Sequence, residues 1–295
     1  LWQSAWPVAS WSVTMLKRDA LMWNEVWERP CRRVRESEWT SETQRLLDAM
    51  CCDPTAPVAL IAVRDRAYYQ RRLGANERTK KAHYLREDAQ IVNPNIATYL
   101  PACRYLREIG YYVIRVGSDQ TPLSQEWDGV AVDYATRFRT ERRDLLLARH
   151  AAFVLNGATG VWSLTSMFNR PQVACDMYEP FRGLGRSTRD VGSFQLRRLS
   201  DGRLQSFREM AATATKYSFE SNLRRDGVIL IKNSPQEILE LVQEMIARLD
   251  GTFRETEDDR RRRARFERIR VLSTEIWERG NIGTAFLRKY EHLLD

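Results

Sequence analysis

The sequence predicts an α/β fold in which helices flank a Rossmann-like, doubly wound and mostly parallel sheet. Between residues 57 and 250, short apolar runs alternate with helical segments, as in a succession of βαβ units. The first run, Val58–Val63, is apolar at every position, which is typical of a strand buried on both faces. With 295 residues, the chain is long enough to bury the core that such a sheet needs.

Composition divides the chain into three predicted regions. Residues 1–56 form a tryptophan-rich segment that holds six of the nine tryptophans, and so many large rings must pack against something. Residues 57–250 form the α/β domain, and residues 251–295 form a C-terminal helical tail.

Within these regions the elements can be placed one by one. Pro101 is expected near the start of a helical piece, and Ser234 with Glu237 forms a capping box at the start of another. Further strands are predicted at 111–116, 130–133, 152–155, 172–175 and 227–232, and helices at 41–50, 96–109, 141–149, 159–168, 204–213 and 235–249.

The net charge of +8 favours anionic partners, but it does not choose among nucleotides, phosphorylated glycans, acidic lipid surfaces and nucleic acid. In the tail, acidic residues of 255–259 precede the basic run 260–265. This order is typical of a solvated helix with ion pairs four residues apart. Contact of the run with anionic lipid or nucleic acid is the alternative. We expect no nucleic acid partner, because the flanking acids nearly cancel the charge.

We expect a cytoplasmic protein. No apolar run approaches the roughly 20 residues that a membrane-spanning helix needs, and the first residues lack the pattern of a signal peptide. The five cysteines are odd in number and lack the spacing of zinc ligands, so we expect them to be reduced thiols. Three scattered histidines form no metal-site pattern. Neither a metal nor a cofactor is predicted.

A glycine-rich turn between a strand and a helix is the first candidate site. In parallel sheets, ligands bind beyond the carboxyl ends of the strands. Glycines let the backbone approach a ligand and adopt positive φ, and the start of a helix suits a phosphate. The turn is neither a Walker loop nor a dinucleotide fingerprint, so phosphate binding and an ordinary tight turn both remain open. It consists of Asn156, Gly157, Ala158, Thr159 and Gly160.

Arg64 and Asp65 follow the first strand, at the same predicted edge of the sheet. The guanidinium of Arg64 can bind a diphosphate through two hydrogen bonds. Asp65 can orient Arg64 or face a substrate hydroxyl. A plain surface ion pair between the two residues is the alternative.

Arg115 lies inside an apolar strand, and Gly117 with Ser118 follows that strand. A buried arginine needs a partner. A ligand phosphate is one candidate partner, and Asp133 or Asp144 is another.

A series of short motifs runs in order through residues 57–295, and together they resemble a family of bacterial glycosyltransferases. The chain is similar to the C-terminal portion of the proteins of that family. The family is in turn distantly similar to fucosyltransferases. The motifs include Val63-Arg64-Asp65, Thr98-Tyr99-Leu100-Pro101-Ala102, Gly110-Tyr111-Tyr112-Val113-Ile114-Arg115-Val116-Gly117, Asp133-Tyr134-Ala135, Asn233-Ser234-Pro235 and Phe286-Leu287-Arg288-Lys289-Tyr290.

The resemblance implies a GT-B arrangement, in which two Rossmann-like lobes hold the ligand between them, and this chain looks like the C-terminal, donor-binding lobe. Residues 1–56 would then be the hinge or a remnant of the acceptor lobe. The implied activity is metal-independent transfer of a sugar from a nucleotide-diphosphate donor to a glycan or lipid-linked acceptor, in polysaccharide or lipopolysaccharide biosynthesis. The implied location is the cytoplasm, with a peripheral contact at the anionic inner face of the membrane left open.

The resemblance also implies roles for individual residues. Arg64 is similar in position to the diphosphate-binding arginine of fucosyltransferase-like enzymes, and Arg64 with Asp65 is expected to be catalytic. Asp133, Tyr134 and Asp144 are expected to support the site. Donor phosphates are expected at Arg64, Arg115, Gly117, Ser118, Asn156, Gly157, Ala158, Thr159 and Gly160.

Among the departures from the family pattern, one lies in the first motif. The first motif of the family usually reads His-Val-Arg-Asp, and here Ala62 stands at the histidine position. A second hypothesis is therefore a nucleotide-sugar-binding or interaction module of the same fold with impaired catalysis. A third is a basic nucleic-acid-binding protein, which only the net charge and the run 260–265 support.

Overall fold

The structure of the chain, a computed structural model, describes residues 36–65, 67–71, 95–178, 180–181, 183–214, 216–217, 220–271 and 279–295. The fold class is the predicted one, because helices cover both faces of a parallel sheet. The strands are β1 (Val58–Val63), β2 (Tyr112–Arg115), β3 (Ala131–Val132), β4 (Phe153–Gly157), β5 (Gln172–Met177), β6 (Val191–Phe194), β7 (Leu196–Arg198), β8 (Ile229–Ile231) and β9 (Asn281–Ile282).

In the described part of the chain, seven of these strands form one sheet of order β3-β2-β1-β4-β5-β6-β9, and all neighbours in it are parallel. From β1 the chain first adds β2 and β3 on one side, and then crosses to add β4, β5 and β6 on the other. The order therefore reverses between β1 and β4. In open parallel sheets such a reversal leaves a crevice at the carboxyl ends of the two strands.

Helices pack on both faces of the sheet. They are α1 (Glu36–Ala49), α2 (Leu100–Glu108), α3 (Tyr134–Arg137), α4 (Glu141–His150), α5 (Val161–Met167), α6 (Phe207–Ala212), α7 (Glu220–Arg225), α8 (Pro235–Leu249), α9 (Glu257–Arg270) and α10 (Thr284–Lys289). Short 3-10 turns span Ile96–Tyr99, Gln125–Trp127 and Glu291–Leu293.

Strand β1 lies at the centre of the sheet, and its side chains alternate between two apolar clusters. Ile61 and Val63 join the cluster with α2 and α8, whereas Leu60 and Ala62 join the cluster with α1 and α4. All six residues of β1 are buried. This double burial is the physical reason for a run with no polar position.

A third cluster of buried side chains lies beside β5, β6 and β9, and aromatic rings dominate it. The ring of Phe194 stands 5.6 Å from that of Phe207, 6.2 Å from that of Phe266 and 5.5 Å from that of Phe286, measured between centroids. Phe266 and Phe286 come from the tail. The tail also supplies β9, which pairs with β6, so residues 279–295 belong to the same folded body as the sheet. The predicted limits at residues 56 and 250 stay predictions.

The second half of the chain requires two corrections to the predicted elements. The strand predicted at 227–232 is the shorter β8, which pairs antiparallel with β7 in a separate sheet rather than extending the parallel one. Strands β6 and β9 of the parallel sheet were not predicted. Gly192 lies inside β6, where a Cβ would stand 2.7 Å from the carbonyl oxygen of Ala174. The close approach of β5 therefore requires a glycine at this position. Because glycine is unfavourable inside a strand, it weakens the sequence pattern from which β6 could have been predicted.

The basic run of the tail lies in α9, and acidic side chains pair with it as predicted. Arg260 contacts Glu257 at 2.8 Å, and Arg261 contacts Asp258 at 3.3 Å. Most of these pairs have a spacing of three residues rather than four. Among the helices that the structure describes, none combines the length and the apolar character needed to span a membrane.

Candidate functional site

A cavity of about 360 Å³ opens at the carboxyl ends of β1, β2 and β4. It therefore lies where the strand order reverses, which is the expected ligand position in an open parallel sheet. Its walls come from the segments that follow these strands and from α4 and α5. Six of the predicted site residues line it: Arg64, Gly117, Ser118, Asp144, Thr159 and Gly160.

Other lining residues were not predicted. Tyr68, Gln120 and Arg139 also face the cavity. Gln120 and Arg139 lie in loops, where neither periodicity nor a motif marks them. Tyr68 lies in a short turn of helix and accompanies the first family motif, but no role was predicted for it. A further signal was position in the chain, since Gln120 and Tyr68 follow strand ends by a few residues.

Arg64 leaves β1 at its carboxyl end, and aromatic rings hold its guanidinium. Nη1 donates a hydrogen bond of 2.8 Å to the hydroxyl of Tyr69. The guanidinium carbon lies 5.6 Å from the ring centroid of Tyr68, within the range of a cation–π contact. These contacts keep a charged group at the cavity wall.

Asp65 is not among the residues that line the cavity, and it binds the loop that follows β2. Its carboxylate accepts hydrogen bonds from the backbone N–H of Thr121 at 2.9 Å and from its hydroxyl at 3.0 Å. Burial opposes ionisation of Asp65, but hydrogen bonds from Ala67 and Thr121 and the charge of Arg115 together bring its pKa below the usual value. Asp65 thus fixes the loop that carries Gly117 and Ser118.

Arg115 is almost fully buried, and groups of the protein engage it. It donates to the carbonyl oxygen of Thr121 at 2.5 Å and to Oε1 of Gln120 at 2.6 Å. Its guanidinium lies 3.3 Å from Asp65 and 3.5 Å from Asp133. Burial lowers the pKa of Arg115, and the two carboxylates oppose that shift. Of the partners considered from the sequence, Asp133 is present beside it and Asp144 is not. Arg115 does not line the cavity.

Gly117 provides the turn that brings this loop to the cavity. Its φ is +135°, in a region that side chains disfavour, and a Cβ there would stand 2.8 Å from Nε2 of Gln120. Asp133 completes the support from the other side. Its carboxylate accepts from the backbone N–H of Leu123 at 3.1 Å and from the hydroxyl of Thr136 at 2.6 Å.

The glycine-rich turn is closed by its own side chains. Oδ1 of buried Asn156 accepts from the backbone N–H of Thr159 at 3.2 Å and from its hydroxyl at 2.7 Å. The expectation that glycines of this turn adopt positive φ was wrong. Ala158 has a positive φ of 51°, and Gly157 and Gly160 do not. Gly157 ends β4 beside Val63, and Gly160 stands at the start of α5 with φ of −70°. Only the Thr159 and Gly160 end of the turn reaches the cavity.

Asp144 brings a carboxylate to the cavity wall, on α4. The hydroxyl of Tyr134, which is buried behind it, donates to Oδ1 at 2.8 Å. Nη2 of Arg139 lies 2.9 Å from Oδ2. Burial raises the pKa of Asp144 above its ordinary value, although Tyr134 and Arg139 act in the opposite direction.

Ala62 lies in the apolar cluster beneath the cavity. It is fully buried and is not among the lining residues. The departure from the family motif therefore places a small apolar side chain in the core at this position.

The cavity thus combines two guanidiniums, Arg64 and Arg139, with the hydroxyls of Ser118 and Thr159 and one carboxylate, that of Asp144, among the described residues. Guanidiniums bind phosphate oxygens through two hydrogen bonds at a time. A site of this composition suits an anion that carries several oxygens.

No family model matches the sequence, and no curated protein matches it. The structure is similar to that of E. coli ADP-heptose LPS heptosyltransferase II, with 14% sequence identity and a TM-score of 0.41. The match covers 74% of this chain and 54% of that one, so the chain spans about half the length of that transferase. The fold assignment itself rests on the strand order of this chain.

Proposed function

We propose that the chain is the donor-binding lobe of a glycosyltransferase, whose cavity holds the diphosphate of a nucleotide-sugar. One observation carries the proposal. Residues selected from the sequence as phosphate ligands come from three separate strand ends and line the same cavity: Arg64, Gly117, Ser118, Thr159 and Gly160. The cavity also lies at the reversal of strand order.

In this proposal the site acts on the leaving group. Transfer of the sugar leaves a nucleoside diphosphate, on which negative charge grows in the transition state. Arg64 and the donors around Ser118 and Gly160 stabilise that charge, so the proposed reaction needs no metal. Asp65 and Arg115 have positioning roles, because they hold the loop that carries Ser118 rather than face the cavity.

The remaining parts of the proposal follow the motif resemblance. The acceptor is a glycan or a lipid-linked glycan, and the proposed location is the cytoplasm with a peripheral contact at an anionic membrane. The net charge of +8 supports contact with such a surface.

A charge placed at Gly160 tests the cavity as the ligand site. A Cβ at this position meets no atom within 4 Å, and its backbone conformation suits any residue. We expect Gly160→Asp to weaken binding of a nucleotide-sugar at least about tenfold, since the carboxylate repels the diphosphate. Gly160→Asn is the matched control, because it has the same shape without the charge, and we expect binding within about threefold of the unaltered chain.

Calorimetry with a panel of GDP-, UDP- and ADP-sugars provides the measurement. Arg64→Ala is expected to weaken the same ligand by at least about tenfold, through loss of charge-assisted hydrogen bonds. Absence of binding for the whole panel, or equal affinities for Gly160→Asp and Gly160→Asn, would reject the proposal.

A binding module without catalysis is the second candidate, and the buried Ala62 favours it. No histidine lines the cavity among the described residues, and the lining carboxylate of Asp144 already has two partners. This candidate predicts that the chain binds a nucleotide-sugar and neither hydrolyses nor transfers it. Release of free sugar or nucleotide during long incubation, followed by chromatography, would exclude it.

A further inference from the structure

We propose that Arg139 is a second phosphate ligand of the cavity and that Asp144 is its gate, a carboxylate that pairs with Arg139 until an anion replaces it. The inference rests on the proposed function for the identity of the natural ligand. It assigns a binding role to Arg139 and makes anion binding depend on the protonation of Asp144.

The geometry makes a ligand in the cavity a competitor of Asp144 for the guanidinium of Arg139. Arg139 and Asp144 both line the cavity and lie 2.9 Å apart, with side-chain exposures of 32% and 19%. A phosphate oxygen is an acceptor of the same kind as the carboxylate oxygen that now engages Arg139. An anion that enters the cavity can therefore replace Asp144 as the acceptor for Arg139.

The surroundings of Asp144 determine what happens to the displaced carboxylate. Tyr134 donates to it from α3, Glu141 repels it from its own helix, and Arg64 lines the same cavity. The lining residues of α5 and β1 are apolar, namely Val161, Leu164, Leu60 and Val63. Once Arg139 has left Asp144 and bound an anion, Tyr134 remains as the direct hydrogen-bond donor to Asp144 among the described residues.

Proton uptake follows from this arrangement. Burial already raises the pKa of Asp144, and a bound anion together with the loss of Arg139 raises it further. The carboxylate then takes one proton from solvent as the anion binds. Linkage requires that anion affinity rise as the pH falls through the Asp144 titration and level off below it.

Sulfate is a suitable probe, because its charge stays constant over the pH range of a folded protein and it needs no nucleotide pocket. Asp144→Asn keeps the acceptor for Tyr134 and removes the charge that holds Arg139. We expect Asp144→Asn to bind sulfate about fivefold more tightly near neutral pH, as loss of a partly exposed ion pair would allow. We also expect the pH dependence of the affinity to disappear.

Three further variants separate the role of Asp144 from general effects of charge. Arg139→Gln should lose most sulfate affinity. Arg142→Gln makes the same change of charge at a surface arginine that binds Glu42, and it should leave the affinity unchanged. Tyr134→Phe removes a hydrogen bond that favours the charged carboxylate, so the pH at which sulfate binding strengthens should rise.

Equilibrium dialysis with radiolabelled sulfate, at several pH values, measures each affinity. Equal or weaker binding by Asp144→Asn, or an affinity of Arg139→Gln equal to that of Arg142→Gln, would overturn the inference. The test is separate from that of the proposed function. If Asp144→Asn strengthens sulfate binding but no nucleotide-sugar binds, only the proposed function is rejected. If a nucleotide-sugar binds but Asp144→Asn does not strengthen sulfate binding, only this inference is rejected.

Discussion

Asp176 lies in β5 where its pairing with β6 shifts register, and its backbone is left-handed at φ of 56°. The carboxylate accepts from the backbone N–H of Asn233 at 2.6 Å, and the N–H of Asp176 donates to Oδ1 of Asn233 at 2.8 Å. The hydroxyl of Tyr99 also donates to it, at 3.4 Å. These contacts join the end of β5 to the segment before α8.

The pH dependence of stability tests this buried carboxyl. Burial raises the pKa of Asp176 to about 6, from about 3.9 in an unfolded chain. The native state then binds the extra proton between about pH 4 and pH 6, so this group's contribution to stability falls as the pH rises through that window, by roughly 3 kcal/mol in total. Asp176→Asn does not titrate, and asparagine tolerates the left-handed backbone. We expect the variant to lose this slope.

Urea unfolding of both proteins from about pH 4 to pH 7 measures the effect as a difference of two slopes. Taking the difference cancels the contributions of other carboxyls. Parallel curves for the two proteins would contradict the assignment.

Some site residues could be predicted from the sequence and others could not, for physical reasons. Arg64, Ser118 and Gly160 were placed correctly at strand ends, because that edge of a parallel sheet follows from strand direction alone. Arg139 was missed, because a loop residue has no periodic signal. The positive φ was expected at a glycine and belongs to Ala158, since the Asn156 side chain closes the turn around it.

At the level of elements, the loop after β2 depends on a contact from a distant part of the chain. Asp65 follows β1 and binds both Thr121 and Arg115, about fifty residues further along. The sequence indicated that Arg115 needs a partner. It could not select Asp65, because the pairing exists only once β1 and β2 lie side by side.

Removal of Asp65 tests its role in holding this loop. Asp65→Ala leaves a buried guanidinium with one carboxylate instead of two, and removes the acceptor for Thr121. We expect the free energy of unfolding to fall by about 3 kcal/mol. Asp128→Ala, at an exposed carboxylate of the following segment, is the control and should change stability by less than about 0.5 kcal/mol.

Urea titration gives both free energies, and hydrogen exchange at the Thr121 amide reports the loop directly. Faster exchange in Asp65→Ala alone is the expected result. Equal stabilities for the two variants would show that Asp133 suffices for Arg115.

Helices and strands differed in how well the sequence predicted them. The helix after Ser234 begins where its capping box predicts, because capping depends on neighbours in the chain. Strand β6 was missed, because Gly192 and Ser193 interrupt its apolar pattern. The closeness of β5 requires the small size of Gly192, and the hydroxyl of Ser193 donates to Asn233; both are tertiary properties.

For the whole molecule, the tail completes the sheet and its third apolar cluster. Strand β9 pairs with β6, and Phe266 and Phe286 pack on Phe194. Asp259 on α9, with its side chain almost fully buried, accepts from Arg288 on α10 at 2.7 Å. The alternation of strands and helices predicted the α/β class, but nothing in the tail's composition predicted a strand of the parallel sheet.

A chain that ends at Asp250 tests the predicted limit of the α/β domain. Such a chain exposes Phe194 and Phe207 and leaves the edge of β6 unpaired. We expect it to aggregate, or to lose the cooperative thermal transition of the intact chain, because of the apolar surface it uncovers. Size-exclusion chromatography and circular dichroism provide the measurements. A soluble monomer with a sharp transition would instead support residues 57–250 as an independent domain.

The two outermost strands of the parallel sheet, β3 and β9, are only two residues long in the described part of the chain. Each therefore offers a very short row of unpaired backbone donors and acceptors to another chain. Long exposed edges are templates for strand addition, and short ones are a common protection against it. Within the described residues, the edges of the parallel sheet are thus poorly suited to growth by edge-to-edge pairing with another copy.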